Sequence, residues 1–425
     1  MGKITDLLLR VKNNKTLING TMFSVFSFVN KGINFVLLII LARFIAPAEY
    51  GRLSLFNTIV QFLGYFIAMS TQGYFSISYF QRKGELFRQD FTSIVLIMAC
   101  CTTILSVVLL FSQNALASFA ELPPSFLWFA VVICVFNVFY YCFMDLLRIQ
   151  EKVARYGIFS CGFALLNFVM AIYMVVYLGM DWEGRVYSHL ICSVISGIVG
   201  FVILVRKRLF TRKVTWSGTK MILLWGIPLI PHEASNWIKQ GCDRFIINGA
   251  HSIEDVGIFS FALTLTSIIT MIGAAFNATN SVSIYQILSS EKTAKQKKTQ
   301  LKLQMRNIGI IYTAGFVLVL IFGTTLVPLF LPKYTPCLPY FWITSVYGYL
   351  VCLYFLFVNY LFYYHKNHNI MIVTFFTAAL HLILSLLLTR YSLYWTAIIY
   401  VVTQVVVLIL IVRQSLKVIR EKLTD

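Results

Sequence analysis

Between Pro228 and Arg244 an otherwise hydrophobic stretch carries His232, Glu233, Asn236, Lys239, Gln240, Asp243 and Arg244. At 100° per residue, His232, Asn236, Lys239 and Asp243 lie within about 60° of one another on a helix. Glu233, Gln240 and Arg244 form a second stripe roughly 100° round. Lysine and arginine offer charge-assisted hydrogen bonds to phosphate or carboxylate, with amides as neutral helpers. A carboxylate or imidazole can take up and release an ion. The stretch therefore offers Lys239, Arg244, Asn236 and Gln240 to an anionic ligand, and Glu233, Asp243 and His232 to a coupling ion. Pro228 and Pro231 interrupt the hydrogen-bond ladder and mark an expected hinge. The same residues can instead neutralise one another, Lys239 with Asp243 four residues on and Asp243 beside Arg244.

A second polar point, Asn30-Lys31, sits in the middle of another hydrophobic run. The nearer end of that run is about ten residues away, roughly 15 Å, which a snorkelling lysine cannot easily cover. Lys31, with Asn30, is expected to face a polar cavity. No metal site is expected, because no Cys/His cluster has zinc spacing and there is no CxxC.

These side chains need elements that can hold them inside a membrane. Of 425 residues, 59% are apolar or aromatic and only 12% are charged, against about 25% in soluble chains. With a mean hydropathy of +0.79, this excludes a disordered chain and a water-soluble enzyme. Breaks between apolar runs of about 20 residues give twelve spans, the seventh at about 221–248. With both termini on the cytoplasmic side, 27 lysines and arginines fall in inner segments. Five (Arg43, Arg52, Arg185, Lys333 and Arg390) fall outside, as basic loops require. The net charge of +19 thus reports topology, and no nucleic-acid partner is expected.

The longest loops, about 206–220 and 288–306, are too short to fold as domains. Gly-Lys occurs only at Gly2-Lys3, so no Walker A loop is present and no nucleotide or other cofactor is expected. His232-Glu233 begins a zinc-protease motif that Asn236 fails to complete. Asp145 and Arg148 are expected to form a structural pair, and His381 to hydrogen-bond a neighbouring helix. His365 and His368 are expected to be solvated. The cysteines are expected to be free thiols, with Cys337 in an external loop.

A weak internal repeat divides the chain. Arg43-Phe44-Ile45 leads to Glu49-Tyr50-Gly51-Arg52-Leu53-Ser54, and Arg244-Phe245-Ile246 leads to Glu254-Asp255-Val256-Gly257-Ile258-Phe259-Ser260. Its glycines are 206 residues apart. The expected fold is an all-α integral membrane protein, with about twelve transmembrane helices in two pseudo-symmetric six-helix halves around a central cavity. Residues 1–205 form the first half, 206–220 a basic cytoplasmic linker, 221–413 the second half and 414–425 a cytoplasmic tail.

Leu41-Ala42-Arg43-Phe44-Ile45-Ala46-Pro47-Ala48-Glu49-Tyr50-Gly51 resembles the first-loop signature of bacterial polysaccharide flippases of the O-antigen, Wzx-type branch. That branch belongs to the multidrug/oligosaccharidyl-lipid/polysaccharide exporter superfamily. Ile45-Ala46 stands where the signature usually has Leu-Gly. Asp243-Arg244-Phe245 with Glu254-Asp255-Val256-Gly257 is similar to the matching signature after span seven. The resemblance implies a flippase moving undecaprenyl-pyrophosphate-linked oligosaccharide from the inner to the outer leaflet of a bacterial inner membrane. It implies alternating access coupled to an ion gradient, with other polysaccharide-assembly membrane proteins and membrane lipids as partners. One rival is a cation-coupled multidrug exporter of the same superfamily, which predicts acidic rather than basic cavity groups. Another is a membrane-embedded polymerase or ligase, which predicts a long outer loop that this chain lacks.

Overall fold

The computed structural model describes residues 15–423, and among them every regular element is helical. Eleven helices are long and apolar enough to cross a membrane, consistent with the all-α integral membrane class. Hydrocarbon offers no partner for backbone N–H and C=O, so helices, which satisfy them internally, are the available solution. The chain forms two compact units, residues 1–45 with 59–230 and residues 46–58 with 231–425. The boundary between these units falls within span seven, and the first turns of the second span group with the C-terminal unit.

The first unit contains α1 (Lys15–Ala42), the later turns of α2 (Pro47–Ala68), α3 (Gln72–Gln81), α4 (Glu85–Ala120), α5 (Pro124–Ile149), α6 (Val153–Ile172), α7 (Asp181–Arg206) and α8 (Trp216–Gly226). A π-turn, Tyr173–Tyr177, extends α6. Helix α7 packs along α5, and α1 along α6. Between α2 and α3 the chain breaks at Met69 and Ser70, both in the left-handed region at φ 47° and 54°.

Span seven is not the single kinked helix its hydropathy suggests. It comprises α8, a 3-10 turn (Ile227–Leu229), α9 (Ile230–Trp237), a π-turn (Ile238–Cys242) and α10 (Asp243–Ala250). Pro228 lies within the 3-10 turn and Pro231 is the second residue of α9. Each proline lacks an N–H and its ring crowds the preceding turn, so the α-helical ladder cannot run through. Gly226, just before the break, faces the Met69 carbonyl so closely that a Cβ would lie 2.4 Å from that oxygen.

The second unit holds α10, α11 (Ile253–Ser289), α12 (Ala294–Phe330), α13 (Leu338–Tyr363), α14 (Asn367–Leu388) and α15 (Leu393–Lys422). Helix α11 opens with a reciprocal capping box between Ser252 and Asp255, which satisfies two of its orphan N–H groups. A 3-10 turn, Pro332–Cys337, precedes α13, and Cys337 is buried there rather than exposed in a loop.

The repeat glycines meet at the crossing of α2 and α11. A Cβ on Gly51 would sit 2.1 Å from the Ile253 carbonyl oxygen, and one on Gly257 1.8 Å from that of Pro47. Pro47 and Ile253 are themselves 206 residues apart, so the contact is reciprocal. One turn on, Ser54 donates to Ser260 at 2.8 Å, again 206 apart. The repeat is thus a packing device that lets two helices touch backbone to backbone.

Gly257→Ala should cost about 1–3 kcal/mol, because a backbone carbonyl cannot swing aside as a side chain can. Gly309→Ala, with nothing within 4 Å of the added methyl, should gain about 0.5–1 kcal/mol from helix propensity. Thermal unfolding of the two variants in detergent checks the opposite signs.

Candidate functional site

The polar face of span seven is met by partners inside the second unit. Lys239, in the π-turn, donates from Nζ to Thr377 Oγ1 on α14 at 2.7 Å. One turn further, Asp243 Oδ2 accepts from the ring of His381 on α14 at 2.8 Å. Both members of that pair are only 1% exposed. The two contacts have the same sequence offset of 138, so they are successive rungs between two locally parallel helices. His381 Nδ1 lies 3.3 Å from Thr403 Oγ1 on α15. Its ring stands edge-on to Tyr400 with centroids 4.9 Å apart.

Arg244 Nε donates to Ser54 Oγ at 2.6 Å, and Trp237 Nε1 donates to the Thr58 carbonyl at 3.1 Å. The chain thereby ties α10 to the start of α2. Lys239 thus meets a hydroxyl, Asp243 a histidine and Arg244 a serine among their contacts. Glu233 and Asn236 are half-buried on α9. The side chains of His232 and Gln240 lie outside the described residues.

In the first unit, Lys31 is exposed on α1, beside the start of a hydrogen-bonded polar seam. Asn30 Nδ2 donates to the Ser160 carbonyl and hydroxyl at 3.0 and 3.1 Å. Asn34 Nδ2 donates to Asn30 Oδ1 at 3.0 Å, and Asn167 Nδ2 to Asn34 Oδ1 at 3.4 Å. Arg185 Nη1 closes the seam on Asn167 Oδ1 at 2.8 Å. Arg185 is therefore the fifth residue of α7 rather than part of a loop. Sequence reading missed Asn34 and Asn167, for which the Asn30/Asn34 spacing of four was the available signal; His381 does hydrogen-bond neighbouring helices, as expected. A further buried acid, Asp90, is held by Arg82 at 2.7 Å and Ser78 at 2.6 Å.

Asp145 and Arg148 do pair, at 2.6 Å, and His365 and His368 are exposed. Beyond the end of α7, partial burial and the nearby Lys152 and Arg155 push the Lys207 ammonium below its ordinary range. Among the described residues, no group of three His, Cys, Asp or Glu side chains could hold a metal ion.

The whole chain shares its fold with solved transporters. An inward-facing multidrug resistance MATE family transporter of the MOP superfamily aligns with a TM-score of 0.68 at 14% identity, covering 96% of this chain and 99% of that one. A MOP superfamily transporter from Pyrococcus furiosus, described as having a binding pocket of reverse polarity, aligns at 0.65 and 13% identity over 98% of each chain. A protein of the Lsg locus of Haemophilus influenzae is 24% identical over 343 residues, 80% of this chain and 82% of the relative. Fold and span chemistry define a multi-pass membrane protein with the fold of those transporters. The chain belongs to the polysaccharide biosynthesis protein family, which matches residues 17–283.

Removing His381 strands the Asp243 carboxylate in a dry interior, whereas removing Lys239 strands only a hydroxyl that still bonds Val373. His381→Ala should therefore cost roughly 3–5 kcal/mol, and Lys239→Ala under about 1 kcal/mol. Melting temperatures of the purified variants in one detergent test the ranking.

Proposed function

We infer that the protein moves an undecaprenyl-pyrophosphate-linked oligosaccharide, an O-antigen or similar repeat unit, from the inner to the outer leaflet of a bacterial inner membrane. The observation that carries this is the state of the cations within the spans. Lys239 and Arg244 are hydrogen-bonded to neutral hydroxyls, and Lys31 is exposed on α1. The Thr377 hydroxyl holds Lys239 in place without cancelling its charge. In a low-dielectric surrounding such charge attracts a diphosphate far more strongly than it would in water. The Asn30 and Asn236 amides, with Gln240, add donors and acceptors suited to sugar hydroxyls.

The polyprenyl tail can remain in lipid while the headgroup follows the polar residues, with access alternating between leaflets. Pro228 and Pro231 supply the bend in span seven that such motion uses. Glu233, Asp243 and His232 are the groups that couple transport to an ion gradient. The distribution of basic loops supports an orientation with both termini in the cytoplasm. The exported glycan is then received by other polysaccharide-assembly membrane proteins. A cationic drug as cargo fits less well, because the buried acids are already occupied: Asp243 by His381 and Asp90 by Arg82.

The test is glycan exposure in sealed vesicles reconstituted with the purified protein and a lipid-linked oligosaccharide. Wild type should expose glycan in a protein-dependent manner. Lys31→Ala and Lys239→Ala should each slow exposure about tenfold or more while reconstituting at normal levels, as losing about 1.4 kcal/mol of charge-assisted binding requires. Normal exposure by both variants would sink the cationic-site reading. Exposure by neither wild type nor variant, with or without an ion gradient, would favour the drug-exporter alternative.

A further inference from the structure

We propose that the cytoplasmic ends of α5, α6 and α7 form a binding site for the diphosphate headgroup of an inner-leaflet lipid, with Lys152, Arg155 and Lys207 as its cations. The choice of a diphosphate lipid rests on the reading of the protein as a flippase for such a lipid. The site itself rests on how three helix ends converge.

Helices α5 and α7 end in the same way. Lys152 N–H donates to the Leu147 carbonyl at 2.8 Å and Glu151 N–H to that of Arg148 at 3.0 Å. At the end of α7, Leu209 N–H donates to the Leu204 carbonyl at 3.3 Å and Arg208 N–H to that of Val205 at 2.8 Å. Each pair of bonds is a Schellman closure, which needs a left-handed residue at the turn. Glu151 and Arg208 take that conformation, at φ 52° and 54°, where glycine is the usual occupant. The closures fix the chain direction just past each helix, so backbone geometry places Lys152 and Lys207.

One layer below, the three helices meet. Phe143, Met144 and Leu147 of α5 are buried against Tyr156 and Phe159 of α6 and Ile203 of α7. Leu147 stands five residues before Lys152, Tyr156 adjoins Arg155, and Ile203 stands one turn before Lys207. The cations therefore come together above a shared apolar floor. The charges that act on the Lys207 ammonium are those of Lys152 and Arg155, and with partial burial they disfavour its charged form. The acid on this end of α5, Asp145, is taken by Arg148 at 2.6 Å, and Glu151 is exposed in the turn. A loop needs only positive charge to stay on the cytoplasmic side; converging its cations on one point adds nothing to that. A multiply charged anion does gain from it, because every cation acts on the same ligand.

The surface beneath the cations suits a lipid better than a free anion. Phe201, Val202 and Val205 of α7 and Ile158 of α6 are exposed, all within two turns of the cluster on its hydrocarbon side. Lys207 directly follows the membrane-crossing stretch that ends at Arg206, and Lys152 lies between those that end at Ile149 and begin at Val153. The cations thus stand at headgroup level with apolar side chains below them for a prenyl chain. Basic pockets between transmembrane helices hold acidic headgroups in this way. A diphosphate diester, with two negative charges, matches three cations better than a phosphodiester headgroup with one.

The experiment uses the full chain in nanodiscs of zwitterionic phosphatidylcholine, its lysines dimethylated with a carbon-13 label and followed by NMR. Lys207→Arg identifies the Lys207 signal while keeping the charge. Undecaprenyl diphosphate should raise the pH at which that signal titrates, since an adjacent anion favours the charged ammonium. Replacing Lys152 and Lys207 together by Gln should weaken retention of this lipid about tenfold, counted by native mass spectrometry. Lys295→Gln, which removes an exposed cation from a different inner segment, should change retention less than about twofold.

A Lys207 signal unmoved by the diphosphate lipid, or an equal loss of retention on Lys295→Gln, would overturn the site. If phosphatidylglycerol or inorganic pyrophosphate moves the signal as far, the cluster takes any anionic headgroup or any free diphosphate, and the assignment to a diphosphate lipid fails. A responding Lys207 in a protein that exposes no glycan in vesicles would uphold the site and refute the flippase reading. Glycan exposure with Lys207 silent would do the reverse.

Discussion

Hydrocarbon cannot hydrogen-bond, so each polar group that span seven brings into the membrane must be met by protein. That constraint shapes the second unit. Trp237, Lys239, Asp243 and Arg244 point in different directions, and no single neighbouring helix can serve them all. Thr377 and His381 on α14 answer two of them, while Ser54 and the Thr58 carbonyl answer the others. Residues 46–58 consequently group with residues 231–425 even though α2 continues beyond them. A polar helix packs against the start of another because leaving its buried donors unmet is costly.

The glycine repeat makes that recruitment close enough to work. Serine side chains are short, so Ser54 reaches both Ser260 and Arg244 only where α2 and α11 approach at backbone contact. Tyr50 adds a hydroxyl contact to Thr264 at 2.9 Å and edge-on ring contacts to Phe261 and Tyr334. Aromatic packing on one side and hydroxyl pairing on the other fix the rotation of α2 about its axis. A duplicated sequence thus persists at the one crossing where each copy serves as the other's partner.

Most of the architecture was legible in the sequence, because length and hydropathy are properties of single segments. The spans, the polarity of span seven, the Asp145–Arg148 pair and the helix break at the prolines could all be read locally. Gly51 and Gly257 announced a relationship, but not that the two would touch. What stayed hidden was pairing across the chain. Nothing near Asp243 points to His381, 138 residues away, and the i,i+4 spacing of Lys239 and Asp243 suggested a local pair instead. Arg185 was hidden by its position near the start of a span, where five residues separate a loop from the second turn of a helix. Its partner Asn167 stands alone in an apolar run and gained meaning only once α6 was placed against α1.

The hydroxyls of the second unit share a feature that bears on why its cations retain their charge. Thr377 donates to the Val373 carbonyl, Thr403 to that of Ile399 and Thr264 to that of Ser260, each four residues back along its own helix. A threonine so committed has no proton left to give and offers its neighbours only lone pairs. Such a residue accepts from an ammonium or imidazolium but contributes no negative charge. A carboxylate at position 377 would bind Lys239 more tightly and cancel its charge. The threonines hold positive groups in register within an apolar bundle while leaving their electrostatic attraction intact, a balance that neither an acid nor an alkane could supply.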